Sequence, residues 1–483
     1  MRLLNKILFT IFLLLFLANP AFATLWYVDN AAEGTDAGTS WTDAWPSFAD
    51  VVWGGVGVVA GDTLYISGGA ESKTYTEKWT IGASGSAGNL INIKPGSASA
   101  SPDGHAGMVI FDYVAAQTGL AIGWSADYIN FDGEKVGVSN ITFKNFTNTS
   151  DADDCELFSG AGANGNIATY LTITDVGNAI VWGASSTNNE ISYCTITGIK
   201  GDTAIRFYAT GNDWDLNKIH HNTIEMMSMT GGGADGIQTG NGISIYNNSF
   251  SVTYTEDVFD GGHPDICQIT GDNVKIYNND FKNVGDATLD FDMWSNLTPE
   301  NIYIYNNVFR IVDDIDTYPQ YFRMYSSTSD ITSLTNLKIL NNTFIDNIGY
   351  SGSSYGISIQ GVSATTASGV EIKNNIFYKT GDSTSGYTII INESSGWTAG
   401  DFDIAQNVYY NPAEDMVFTI DGTAYSTATL WIASVDTTGI YGDVSFVSYA
   451  LKSGDNDLHL AANDTTAMEA GADMSAYFTK DKD

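Results

Sequence analysis

Beyond Arg2, this 483-residue chain holds three arginines, Arg206, Arg310 and Arg323, and it has five histidines in all. Two of the arginines sit in short apolar segments, Ala204-Ile205-Arg206-Phe207 and Phe322-Arg323-Met324-Tyr325. Between them in sequence come Asp235-Gly236-Ile237-Gln238, His263-Pro264-Asp265-Ile266-Cys267-Gln268 and Leu289-Asp290-Phe291-Asp292. These residue types move protons and bind polar ligands, so three chemistries compete. In a glycoside hydrolase two carboxylates flank the scissile bond, one as acid and one as base. Asp235, Asp265, Asp290 and Asp292 supply candidates, with His263 as helper. In a polysaccharide lyase a base removes the proton α to a uronate carboxylate while a cation neutralises that carboxylate. Arg206, Arg323 or His263 would be the base, and the aspartates would hold Ca2+. In the third reading the residues form a non-catalytic glycan-binding or structural surface. In the binding readings, Arg206, Arg323, Gln238 and Gln268 are the substrate contacts.

Such segments act together only if something brings them side by side, and a repeat supplies it. The chain spells one phrase seven times: apolar, any, Asn, Asn, any, apolar. The cleanest copies are residues 245–250 (IYNNSF), 276–281 (IYNNDF) and 304–309 (IYNNVF). Residues 339–344 (ILNNTF) and 372–377 (IKNNIF) follow, with looser copies at 219–224 and 404–409. From Asn222 through Asn248, Asn279, Asn307, Asn342 and Asn375 to Asn407 the steps are 26, 31, 28, 35, 33 and 32 residues. Cys194 fits the same slot one step earlier, and residues 170–173 form a weaker copy before that. A constant phrase with variable spacing describes stacked coils whose loops differ in length. Apolar residues recur at every second position, as in Val274-Lys275-Ile276-Tyr277, so the coils are built of strands.

Asn in a fixed slot has a structural rationale. It carries both a donor and an acceptor, so identical side chains can bond along a stack. It also tolerates the left-handed backbone of a tight turn. The phrase itself is therefore expected to carry no chemistry. As a ruler it places Asp235 and Gln238 beside Asp265 and Gln268. The stripe then reads Arg, Asp/Gln, His/Asp/Gln, Asp/Asp, Arg over roughly 19 Å. Alternation puts Asp265 and Cys267 on one face and Ile266 and Gln268 on the other. The expectation is Asp265 outward, with Gln238 and Gln268 inward as a second polar ladder. His220 and His221 read as turn residues. Asp151, Asp153 and Asp154 read as a solvated acidic loop.

These phrases resemble those of right-handed parallel β-helix proteins of the pectate-lyase-like superfamily, over roughly residues 25–483. The resemblance implies an all-β solenoid of about ten to twelve coils with an Asn ladder and an N-terminal capping helix. Trp26-Tyr27-Val28-Asp29, Gly38-Thr39-Ser40, Ala44-Trp45 and residues 60–66 are similar to that superfamily's opening segment. Residues 235–237 and 265–267 are weakly similar to catalytic strands of polygalacturonase-type hydrolases. The paired Asp-Asp, the Gly-His-Gly and the Arg-x-Lys of those enzymes are missing. The calcium aspartates of pectate lyases are not recovered residue by residue either. Because this fold hosts many activities, function rests on the site.

The resemblance and the repeat divide the chain into a signal peptide (1–23), a cap with first coils (24–110), the β-helix core (111–414) and C-terminal coils or cap (415–483). The last part resembles the closing segment of bacterial β-helix proteins, and by comparison with it the chain reads as truncated or shorter-capped. Arg2, Lys6, the apolar run 7–17 and Ala21-Phe22-Ala23 form a Sec-type signal with cleavage near Ala23. The protein is expected to be secreted, periplasmic or at the cell surface, without membrane insertion, and monomeric. Its partner would be a polysaccharide or other glycan. A formal charge of −36 opposes binding to nucleic acid and repels polyuronates unless cations compensate. Three cysteines, Cys155, Cys194 and Cys267, make no disulfide framework and no metal motif.

Overall fold

The computed structural model describes residues 23–96, 104–113, 117–148, 155–183, 186–207, 216–229, 232–233, 235–253, 265–282, 287–292, 298–310, 320–325, 331–345, 355–360, 366–379, 387–391, 397–413, 416–450 and 457–477. The Asp151, Asp153 and Asp154 loop, His263 and the signal segment through residue 22 lie outside them. Three long parallel sheets wind into a right-handed parallel β-helix. Sheet A runs from Leu25–Val28 through Ile243–Tyr246 and Val274–Tyr277 to Phe402–Ala405. Sheet B runs from Ser72–Tyr75 through Ser249–Thr253 and Asp280–Lys282 to Ile440–Tyr441. Sheet C runs from Trp79–Thr80 through Asp235–Thr239 and Cys267–Ile269 to Val417–Ile420. Sheets A and B each have thirteen strands along their main path, against the ten to twelve coils expected.

The phrase sets the register. Ile245, Ile276, Ile304, Ile339, Ile372 and Ile404 pair level by level in sheet A. Phe250, Phe281, Phe309, Phe344 and Phe377 stack inside sheet B with ring centroids 5.0, 5.0, 4.8 and 4.9 Å apart. Such columns bury apolar surface that one coil alone would leave wet. Between A and B the two asparagines divide the work of the turn. The first takes the left-handed conformation, as at Asn247 (φ 55), Asn278 (φ 57) and Asn341 (φ 53). The second turns inward. Asn279 Nδ2 donates to Asn307 Oδ1 at 3.0 Å, and Asn307 Nδ2 donates to Asn342 Oδ1 at 3.0 Å. Each amide also reaches a carbonyl in the coil before, as Asn307 Nδ2 does to Ile276 O at 2.9 Å. Cys194, in the slot before Asn222, is buried, and its backbone N–H donates to Asn222 Oδ1 (2.8 Å).

The ends close differently. In place of the capping helix expected in the N-terminal segment, the described residues hold a single 3-10 turn, Phe48–Asp50. Gly54 and Gly55 follow with φ 74 and 56, backbone that a right-handed helix does not use. Phe48 stacks on Trp79 at 4.3 Å to cover the first coil. At the other end the helix Ala428–Ser434 brings buried Trp431 over Phe418, with centroids 4.8 Å apart. Asp436 terminates the amide chain: Asn407 Nδ2 and Tyr409 Oη both donate to its Oδ2 at 2.9 Å. The chain then turns back. Strand Asp457–Leu460 pairs with Phe446–Ser448, and both belong to an apolar cluster with Ile345, Tyr378, Val408 and Val444 beside sheet B.

Candidate functional site

The segments singled out in the sequence are neighbouring strands of sheet C: Thr203–Phe207, Asp235–Thr239, Cys267–Ile269, Ala287–Asp292 and Gln320–Tyr325. Pairing is in register, so Arg206, Gln238, Gln268, Asp290 and Arg323 form one column across five coils. Val181 precedes this polar column, and Ser358 then Ile390 follow it. Flanking positions in each strand are buried apolar residues, Ile205 and Phe207, Ile237, Cys267 and Ile269, Leu289 and Phe291. Gly236 is required for this close stacking, because a Cβ there would lie 2.5 Å from Ile266 O and 2.8 Å from Met226 Sδ.

The glutamines face opposite to the sequence expectation, and the aspartates are buried rather than open. Asp265 and Asp290 are wholly buried and Asp235 is 5% exposed. Gln238 and Gln268 are half-buried members of the outer column, not an inward ladder. Asp265, though buried, reaches members of that column: it is hydrogen-bonded to the Asp290 side chain, and its Oδ1 lies 3.7 Å from Arg323 Nη2. Alternation fixes which residues go together, not which way the set points. Asp235 and Asp265 sit where the chain turns into sheet C, and there Asp235 does what Asn does at the other corner. Its Oδ1 accepts the backbone N–H of Asp265 at 2.9 Å, and two coils earlier at this same corner Asn178 Oδ1 accepts that of Thr203 at 2.8 Å.

A continuous polar network links the column to the buried acids. Arg206 ion-pairs with Asp202, and its Nε donates to Gln238 Oε1 at 2.7 Å. Gln238 Nε2 donates to Asp235 Oδ2 at 2.7 Å. Arg323 grips Asp290 through both oxygens, Nε to Oδ1 at 2.9 Å and Nη2 to Oδ2 at 2.8 Å. The same Nη2 lies 3.7 Å from Asp265 Oδ1. The Arg323 guanidinium also sits over the Tyr325 ring, 4.8 Å from its centroid. Burial, and then the charges of Asp290 and Asp235, push the Asp265 carboxyl well above the usual range, and Arg323 only partly offsets them. The Asp265 and Asp290 side chains are hydrogen-bonded to each other. Burial likewise pushes the Cys267 thiol up, so it is no nucleophile.

Asp292 pairs with Tyr325 in register, but its side chain lies outside the described residues. His263 does also. Asp202 and Tyr325 were missed, although Asp202 stands four residues before Arg206, where a charge partner is easily sought. His221 is a left-handed turn residue (φ 56), and His220 stacks on Tyr246 at 4.7 Å.

The calcium ion that the resemblance allows needs six to eight oxygens. Here both Asp290 oxygens are engaged by Arg323, and Asp265 is buried against Asp290. These residues do not fit a calcium site. Among the described residues no group of three or more His, Cys, Asp or Glu could hold a metal.

No protein-family model and no curated protein matches the chain. Solved structures do. A rhamnogalacturonan lyase is 15% identical, covering 83% of this chain and 90% of its own, with a TM-score of 0.46. A PL6 family alginate lyase is 14% identical over 83% of this chain and 52% of its own, with a TM-score of 0.48. The Streptococcus pneumoniae surface protein and adhesin PfbA is 14% identical over 72% of this chain and 89% of its own, with a TM-score of 0.45. All three TM-scores lie below 0.5, and the parallel β-helix rests on this chain's own sheet pairing.

Proposed function

We propose that this is an exported, carbohydrate-active β-helix protein that binds a polysaccharide along the outer face of sheet C. Arg206, Gln238, Gln268 and Arg323 are the contacts. The observation that carries this reading is where the chain spends its variable loops. The A-to-B connection is the two-residue Asn turn at every phrase. The long, unequal connections lead into sheet C (254–264, 311–319, 346–354) and out of it (208–215, 293–297, 326–330). In solenoids, insertions gather on the binding face. Here the strands that these connections join carry a column of two arginines, two glutamines and an aspartate.

Within this reading the buried acids hold the column in shape. Asp290 fixes the Arg323 guanidinium, and Asp235 fixes the Gln238 amide. The donors are thereby oriented before ligand arrives, which lowers the cost of binding. A second reading is cleavage, favoured by the raised pKa of Asp265 and its contact with Asp290. Against it stands geometry: hydrolases hold their two carboxyls about 5 Å or more apart across the bond, whereas Asp265 and Asp290 touch each other and are buried.

The test is a panel of soluble polysaccharides in affinity electrophoresis, with new reducing ends and unsaturated-uronate absorbance followed in parallel. One polysaccharide retards the protein, and Gln268→Ala weakens it by about three- to tenfold, the loss of one hydrogen bond. Retardation by none, or retardation indifferent to Gln268→Ala, overturns the binding reading. New ends abolished by Asp265→Asn would establish cleavage instead. Export is checked by the mass of the mature protein, which should begin at Thr24.

A further inference from the structure

The first Asn of each phrase takes up the left-handed turn and leaves its side chain out of the interior ladder. On four successive coils these positions are Asn306, Asn341, Asn374 and Gln406, with φ 56, 53, 57 and 53. They form a rail of amides along the A-to-B corner, one per coil. The returning C-terminal segment, Asp457–Leu460 and residues 467–471, passes opposite. Between rail and segment lies a cavity of about 840 Å³. Its floor is the first residue of each sheet B strand, Val308, Thr343, Ile376 and Val408, paired in register. This volume is in the range of small-molecule sites, which join an apolar floor to a few polar groups.

We infer that this cavity is a second ligand site and takes a short neutral oligosaccharide. The inference does not rest on the reading of sheet C. Asn374 shows what the rail offers: it donates to Ala472 O at 2.9 Å and accepts from Ala472 N at 2.8 Å. One coil earlier, Asn341 lines the same cavity, and among the described residues no bond to the returning segment occupies its Oδ1. Charge selects the class. The one arginine lining the cavity, Arg310, is held by Asp280 through Nε at 2.9 Å and Nη2 at 2.6 Å. His459 is engaged by Asp457. Glu469 adds an acid, and among the described lining residues no cation is left to balance a uronate or phosphate. Hydroxyl groups match the amides and Thr343, and a sugar's C–H face matches Val308, Ile376 and Val408.

The experiment is isothermal titration calorimetry of the full chain. The probes are hexasaccharides of cellulose, xylan, mannan and β-glucan, with hexagalacturonate as the anionic comparison. One neutral hexasaccharide binds. Asn341→Gly, which keeps the left-handed turn and removes the amide, weakens it at least tenfold, whereas Gln268→Ala on sheet C leaves it unchanged. Should Asn341→Gly melt early, Thr343→Val on the same floor gives the same reading. No neutral binding, or binding indifferent to both substitutions, overturns the site. Preference for hexagalacturonate overturns the class. Binding lost through Gln268→Ala alone assigns the ligand to sheet C.

Discussion

At the scale of residues, the acid cluster of sheet C sets two expectations. Arg323 is the cation nearest the wholly buried Asp265 and Asp290. Removing one partner of a buried pair strands the other, so Arg323→Ala should cost about 3–5 kcal/mol, read as a fall in the urea midpoint. Adding Asp290→Asn should return part of it; no recovery would mean the loss is packing. Asp265 gives the pH dependence. Its pKa is raised in the fold, by burial first and by Asp290 and Asp235 next. The folded chain keeps a proton that the unfolded chain releases above about pH 4. Its stabilising contribution is thus fully present below that value and is lost as pH rises through the raised pKa. Asp265→Asn keeps a donor toward Asp290 and abolishes the titration. Its melting temperature should depend less on pH, with the variant gaining on the parent as pH rises. Parallel curves would show that Asp265 is ionised in the fold.

At the scale of elements, the Asn-Asn turn joins two different jobs in adjacent residues. Asn307 Oδ1 accepts from both the backbone and the side chain of Asn279, each at 3.0 Å. Its own Nδ2 serves Ile276 O and Asn342. Asn307→Ala therefore leaves several buried groups unpaired and should destabilise by at least about 2 kcal/mol. Asn341→Gly keeps the turn and should stay within about 1 kcal/mol. Chemical denaturation of the two variants compares the positions directly, and equal losses would refute the division of labour. The repeat made the inner role legible, because seven copies in one slot can serve only what every coil shares. The outer role was not legible, because it depends on the segment that passes opposite.

At the scale of the whole molecule, thirteen levels spaced about 4.8 Å apart make a rod on the order of 60 Å long. Each coil touches mainly its neighbours, so an end effect should stay near the end. Asp436, buried beneath Trp431, closes the amide chain at Asn407. Asp436→Ala should speed amide hydrogen exchange in Ile376–Tyr378 and Val408–Tyr410 while Ile129–Asp132 stays protected. Uniform acceleration would mean that the solenoid opens as one unit.

The sequence by itself determined the coil, its register and the membership of the sheet C column. Ile, Asn and Phe in a fixed phrase have a satisfactory partner only in the same residue one coil away. Tertiary structure alone decided the rest. Alternation sets relative parity, so only burial could show that Asp265 and Asp290 are enclosed while Gln238 and Gln268 line the outer column. Local patterning also has no term for contacts such as Asn374 with Ala472, 98 residues on. That return of the chain turns an exposed row of turn amides into the wall of a cavity.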